Sequence, residues 1–282
     1  MSAARCFACT LAALAVVCGS MISTAMAASY STGFEEFTLG PMSSGGVTQN
    51  GWSGGAQPDF TNNDAGDEQI VNTVVHSGAQ SWHYARGYNS PGQGTPYTPN
   101  IGDSVNVIGD TMAGSLWFKA HTAADNSLLA IETGNLIGDD RAEILAYIDN
   151  VPGGITVRSF TGSGFSNVPI ASGLDASIWH ELSYSLSLNA TDLAVSISVD
   201  GAAAVQFDGS LKDWRDANSF AYSESSRLKF RARHADGNPL LNGFYIDDVS
   251  YSISAVPEPA TVALAGLASI GMLAARRRQR QA

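Results

Sequence analysis

The sequence predicts an all-β body, folded as two antiparallel sheets packed face to face, between an export leader and an apolar, arginine-tipped tail. Three observations carry this. Between residues 28 and 255 no window of roughly 11 to 18 residues keeps a helical 3.6-residue apolar period. Short segments alternating apolar and polar residues recur instead, separated by Gly, Asn, Asp, Ser and Pro. About a dozen such segments are too many for one sheet of ordinary width, and two stacked sheets bury the apolar face of each.

The chain opens with MSAARCFACTLAALAVVCGSMISTAMAAS: one early cation (Arg5), an apolar run from Cys9 to Val17, then Ala25-Met26-Ala27. This is the pattern of a secretory signal peptide, residues 1–27, cut after Ala27. A lipoprotein cut at Cys18 is the alternative, but Val17 is bulky where a small residue belongs. All three cysteines (Cys6, Cys9, Cys18) lie in the leader. The mature protein therefore forms no disulfide and depends on a packed core.

The predicted strands, in order, are EQIVNTVVH, AQSWHYAR, AGSLWFKA, SLLAIET, AEILAYID, GITVRSF, HELSYSLSL, LAVSISVD, AAVQF, SRLKFRAR and FYIDDVSYSI. In LAVSISVDGAAAVQF, Leu193, Val195, Ile197 and Val199 share one face, and Asp200-Gly201 supplies a two-residue hairpin turn tolerant of positive φ. A second hairpin is expected across NATD. Residues 39–67 and 87–103 read as long loops. Neither an internal repeat nor a linker divides residues 28–255, so one domain is expected there.

Charge narrows the partners. The chain has 15 Lys and Arg against 26 Asp and Glu, a net −11. Setting aside Arg5, Arg276, Arg277, Arg278, Arg280 and Glu258 leaves 10 against 25, a net −15 for the body. Nucleic acid and anionic membrane are poor partners for such a surface.

The tail, residues 256–282, begins Val256-Pro257-Glu258-Pro259 and continues as an almost wholly apolar run from Ala260 to Ala275. As a helix that run covers about 24 Å. That is short of the ~30 Å hydrocarbon core, so it spans only with local thinning or snorkelling arginines. The cluster Arg276, Arg277, Arg278 and Arg280 is expected on the cytoplasmic side, with the body outside the inner membrane. The P-E-P triplet, short apolar helix and terminal arginines resemble the PEP-CTERM sorting signal of Gram-negative bacteria. That resemblance implies processing by an exosortase-type membrane protease, in a producer of exopolysaccharide, with a cell-surface or matrix destination. The sorting residues are then Pro257, Glu258, Pro259, Arg276, Arg277 and Arg278.

A second resemblance covers most of the body. GFEEF, HSGAQSWHYA, SLWFKA, WHELSYSLSL, ISVDG and FYIDDVSYSI, in that order, look like concanavalin A-like jelly rolls, the superfamily of laminin-G-like domains, legume lectins and many carbohydrate-binding modules. It implies a jelly-roll sandwich. In many carbohydrate-binding members a glutamate near the start and an aspartate in a late D-D-V element help to hold a structural Ca²⁺. The matching positions here are Glu35 and Asp247 or Asp248. The oxygen-rich run Asp59, Asn62, Asn63, Asp64, Asp67 lacks the ordered spacing of a calcium loop.

No catalytic constellation is visible. Glycosidic hydrolysis needs two carboxyls about 5 to 9 Å apart. Glu143 and Asp149 share a strand face but stand about 20 Å apart along it, and Asp247 and Asp248, being adjacent, are expected on opposite faces. GWSGG, residues 51–55, lacks the strand-to-helix setting of a nucleophile elbow. His76, His83, His121, His180 and His234 show no zinc spacing. The body therefore reads as a non-enzymatic binder of carbohydrate; a structural or protein-interaction role is the alternative, and a polysaccharide-degrading enzyme is a third.

For ligand contact, Trp52, Tyr88, Tyr97 and Trp214 lie in loop-like stretches where flat rings can stack on sugars, whereas Trp82, Trp117 and Trp179 are expected in the core. In SRLKFRARH, Arg227, Lys229, Arg231 and Arg233 alternate with Leu228, Phe230 and Ala232, placing four cations on one strand face of an acidic protein. Glu181 or Asp208 is the expected cross-strand partner if that face is structural. If it is functional, it suits an anionic polysaccharide, whose uronate carboxylates arginine binds bidentately.

Overall fold

The computed structural model describes residues 27–44, 47–54, 68–85, 96–102, 105, 108–122, 126–134, 143–161, 166–189, 193–209, 227–233, 243–254 and 256. The chain divides into a unit of residues 27–255 and one of residues 1–26 with 256–282. Of the second unit only Val256, which is exposed, is among the described residues. Residues 1–26, expected as a leader, and 257–282, with Pro257, Glu258, Pro259, Arg276, Arg277 and Arg278, lie outside the described residues, as do Tyr88 and Trp214. Among those described, no helix is long and apolar enough to cross a membrane.

The short N-terminal strands are β1 (Ala28–Thr32), β2 (Gly40–Pro41), β3 (Ser43–Ser44), β4 (Val47–Thr48), β5 (Ser53–Gly54), β6 (Glu68–Val71), β7 (Ser81–Tyr84) and β8 (Pro96–Tyr97). The long strands are β9 (Thr111–Ala120), β10 (Leu128–Gly134), β11 (Glu143–Val151), β12 (Gly154–Thr161), β13 (Ser166–Leu174), β14 (His180–Leu188) and β15 (Leu193–Val199). The last three are β16 (Val205–Asp208), β17 (Arg227–Arg233) and β18 (Phe244–Ser254). The first sheet runs β16-β15-β14-β9-β18-β7-β6-β2, with β1 also paired to β18; the second runs β13-β12-β11-β10-β17-β8-β5. Every pairing recorded between strands is antiparallel. The body is the all-β, two-sheet antiparallel sandwich that the alternation predicts.

Alternation sets the layers. In β14 and β15 every second residue is buried, so Leu182, Tyr184, Leu186, Val195 and Ile197 face the core while serines face outward. Leu129, Ile131, Ile148, Ile155, Val157, Leu228 and Phe230 of the second sheet meet them in one cluster. Two buried phenols bridge the layers: Tyr84 Oη donates to Phe230 O at 3.3 Å and Tyr251 Oη to Pro99 O at 2.8 Å. Burial pushes the Tyr251 hydroxyl up to about 12. The hairpin at Asp200-Gly201 has φ of 53° and 69°, the left-handed pair its turn requires.

Two expectations are corrected. EQIVNTVVH ends as a strand at Val71, and residues 72–80 form bends that matter below. The edge strand β13 was not anticipated, because Pro169 and Gly173 break its pattern and most of its side chains face solvent.

Candidate functional site

The outer face of the second sheet is built from residues of opposite parity to the core. In β17, Leu228 and Phe230 are buried inward, which turns Arg227, Lys229 and Arg231 to the other face. Register places Tyr97, Lys229 and Glu132 in one row across β8, β17 and β10. The next row is Arg231, Ala130, Tyr147, Arg158 and Pro169, across β17, β10, β11, β12 and β13.

In the first row Glu132 takes two cations, Lys229 Nζ at 3.2 Å from Oε2 and Arg231 Nε at 3.3 Å from Oε1. Lys229 is only 2% exposed and its Nζ lies 5.8 Å from the centre of the Tyr97 ring. A buried ammonium and carboxylate hold each other through mutual attraction in a medium of low polarity. Arg231 remains 28% exposed in its side chain and is the part of this cluster that reaches the surface.

The second row interleaves cation and ring. Arg158 Cζ lies 5.2 Å from the ring centres of both Tyr147 and Phe160, which meet edge to face at 5.1 Å and 79°. Arg158 Nε donates to Asp149 Oδ2 at 2.7 Å, fixing the fork against these rings. All four side chains are half-buried. The arrangement can stack a sugar ring and meet its carboxylate with a guanidinium.

Sequence reasoning named the β17 face but assigned its residues unevenly. Trp52 (2% exposed) and Tyr97 (1%) are buried and cannot meet a ligand. Trp52 stacks on Phe230 at 5.8 Å and packs against Phe34, Phe37 and Trp82, and its Nε1 donates to Tyr30 Oη at 2.7 Å. Lys229 is likewise buried, and its carboxylate partner is Glu132 of the same sheet, not Glu181 or Asp208 of the first. Arg227 and Arg233 occupy the two ends of the strand, and Arg227 is half-buried. Tyr147, Arg158 and Phe160 were missed, although they fall on the outward parity of AYID and ITVRSF. Trp117 and Trp179 were expected in the core and instead are half-buried on the outer side of the first sheet.

Glu35, Asp247 and Asp248 are brought to one segment, residues 76–80. Asp247 Oδ2 accepts from the backbone N–H of His76 (2.9 Å) and Ser77 (3.3 Å), and its Oδ1 from Asp248 N (2.8 Å). Asp248 Oδ2 meets His76 Nδ1 at 2.7 Å and its Oδ1 accepts from Ser77 Oγ at 2.8 Å. Glu35 Oε1 accepts from Ala79 N (2.6 Å) and Gln80 N (3.1 Å). Adjacent aspartates serve one loop, against the expectation of opposite faces, because β18 bulges between Asp247 and Ser250 and Asp248 adopts φ of 46°. Burial pushes the Asp247 carboxyl up, and the three N–H donors only partly offset this. Five of these six carboxylate oxygens already receive hydrogen-bond donors. Among the described residues no group of three or more His, Cys, Asp or Glu could hold a metal ion. As described, the three carboxylates act as a loop clamp on residues 76–80.

Residues 255–278 match the PEP-CTERM protein-sorting motif. An antiparallel β-sandwich protein with a C-terminal sorting motif is thus the class that fold and sequence define. No curated protein matches the chain. Similar solved structures include a conserved carbohydrate esterase from the Shiga toxin-encoding bacteriophage phi24B, at 16% identity over 80% of this chain and 97% of that one, with a TM-score of 0.48. Lectin UEA-II complexed with galactose is 12% identical over 80% and 97%, with a TM-score of 0.44. The Emp47p carbohydrate recognition domain is 13% identical over 79% and 96%, with a TM-score of 0.40. The architecture rests on the strand pairing itself, and no function is carried across likenesses this weak.

Proposed function

We propose that this chain is exported, processed at its sorting motif by an exosortase-type membrane protease, and acts at the cell surface or in the extracellular matrix of a Gram-negative bacterium as a non-catalytic binder of acidic polysaccharide. The observation that carries the reading is the row Arg231, Ala130, Tyr147, Arg158 on the outer face of the second sheet, with Phe160 beside it. Neighbouring strands lie about 4.8 Å apart, so a polymer lying across them meets the Arg231 guanidinium, then, past Ala130, the Tyr147 ring and the Arg158 guanidinium. Charge-assisted forks to carboxylates contribute about 1.5–3 kcal/mol each. A polyuronate should therefore bind in a salt-sensitive way and a neutral dextran should not.

The test is titration of the mature protein with alginate or polygalacturonate and with dextran. Replacing Arg231 and Arg158 with Ser should weaken polyuronate binding at least tenfold. Equal affinity for dextran, or no response to the double substitution, sinks the proposal. New reducing ends or unsaturated uronates released from the polymer would show an enzyme instead. Mass spectrometry of the mature C-terminus tests the processing.

A second reading, a matrix component that packs against protein, is favoured by the outer face of the first sheet. Ser31, Ser250, Ser115, Ser183 and Ser198 form one row across β1, β18, β9, β14 and β15. Ser31, Ser250, Ser115 and Ser183 border a shallow depression of about 530 Å³ with Ser29 and Ser252. Such a face is covered without desolvating any charge. Concentration-dependent association that is abolished by Ser183→Lys would support it.

A further inference from the structure

We propose that the first sheet carries a second, separate binding site, at the His76, Trp117 and Trp179 corner, for a sugar that bears a free amine. Its walls are aromatic. The His76 ring stacks on Trp117 at 3.7 Å and 15°, while Trp179 stands 5.7 Å from His76 and is inclined by 66°. The two indoles are therefore steeply inclined to each other and form a corner. Ile178, beside Trp179, is 52% exposed, an apolar side chain left at the surface. Tyr245 backs the corner, 6.5 Å from Trp179.

The surrounding charge is negative. Asp248 meets His76 on one side. On the other, Glu181 is the direct cross-strand neighbour of Trp117. Asp200 accepts the Glu181 N–H at 2.9 Å through Oδ1 and meets His180 Nδ1 at 2.7 Å through Oδ2, and its side chain remains 44% exposed. Lys119, two residues along β9, shares the parity of Trp117. Ring faces present negative charge density, so inclined aromatic walls with adjacent carboxylates attract an ammonium group and repel a uronate. Ser115 and Ser183 follow two residues from Trp117 and Glu181 on the same strand faces, with Ser250 opposite Ser115, and their hydroxyls can meet those of a sugar ring. A primary amine on a hydroxylated ring, a hexosamine unit, satisfies walls, charge and hydroxyls together.

The corner is held in place before any ligand arrives. Glu35, Asp247 and Asp248 clamp residues 76–80 through backbone and side-chain hydrogen bonds, fixing the His76 ring on Trp117. Fixing a loop in its binding geometry lowers the ordering cost of association.

The full chain is titrated at neutral pH with fully deacetylated glucosamine oligomers and with their N-acetylated counterparts, followed by tryptophan fluorescence and calorimetry. The deacetylated oligomers should bind at least tenfold more tightly and shift the fluorescence. Trp179→Ala and Glu181→Gln should each weaken that binding about tenfold, with unchanged melting temperature and unchanged polyuronate binding. Serine at Arg231 and Arg158 should leave it intact, so this site and the polyuronate face stand or fall separately. Equal affinity for the two oligomers, or no effect of either variant, overturns the proposal. Binding of oligolysine without binding of glucosamine oligomers also overturns it and points to a basic protein.

Discussion

Gly114 shows how closely neighbouring strands of the first sheet, β9 with β14 and β18, are fitted at the level of one residue. A Cβ there would collide with Ser250 O and come within 2.6 Å of Tyr184 Oη and 2.8 Å of Tyr251 Cβ. Gly114→Ala should cost about 1–3 kcal/mol through forced repacking, read as a lower urea midpoint. Asp247 supplies a second test. In Asp247→Asn an amide NH₂ must face either the His76 and Ser77 N–H groups or the Asp248 N–H, with a loss of about 1–3 kcal/mol. The native carboxyl is raised above 3.8, so the folded state holds this proton more tightly than the unfolded state. Its contribution is full below 3.8 and declines as pH rises through the folded value. The stability gap between wild type and Asp247→Asn should therefore narrow from acid to neutral pH.

At the scale of the strand, β17 divides its cations between holding the sheet and meeting a ligand. Lys229 and Glu132 are both nearly closed to solvent, and removing one leaves the other charged and buried. Lys229→Met removes the buried partner of Glu132 and leaves it only the part-exposed Arg231, so it should lower the melting temperature more than Arg231→Ser, which should act mainly on binding. The strand pattern itself was legible: β14 begins and ends where its alternation does, and the Asp200-Gly201 turn follows from residues that accept positive φ. For Trp117 the signal was present but overridden by its aromatic character. It shares parity with Ser115 and Lys119, while Leu116 and Phe118 turn inward. Trp52 and Tyr97 misled in the other direction, because Gly, Pro and Asn neighbours describe the local chain and say nothing of what packs on it.

For the whole molecule, the absence of cysteines from the body leaves the core and the sheet hydrogen bonds to supply stability. Residues 76–80 are held to Glu35 and to β18 by donors of the chain itself. EDTA should accordingly leave the melting temperature unchanged, and a fall of several degrees would show a cation in the clamp. The molecule presents faces of opposite character, a second sheet lined with guanidinium groups and a first sheet with an acidic aromatic corner beside a serine row. The sequence by itself determined the all-β class, the alternation, the main hairpin and the sorting motif at 255–278, because each is written in contiguous residues and their period. Only the tertiary structure decided that Glu132 sits between Lys229 and Arg231, that Arg158 lies against Tyr147 and Phe160, and that a bulge turns Asp247 and Asp248 to one loop. Those relations depend on register and on contacts between distant segments, such as the 171 residues separating His76 from Asp247, and no local pattern encodes them.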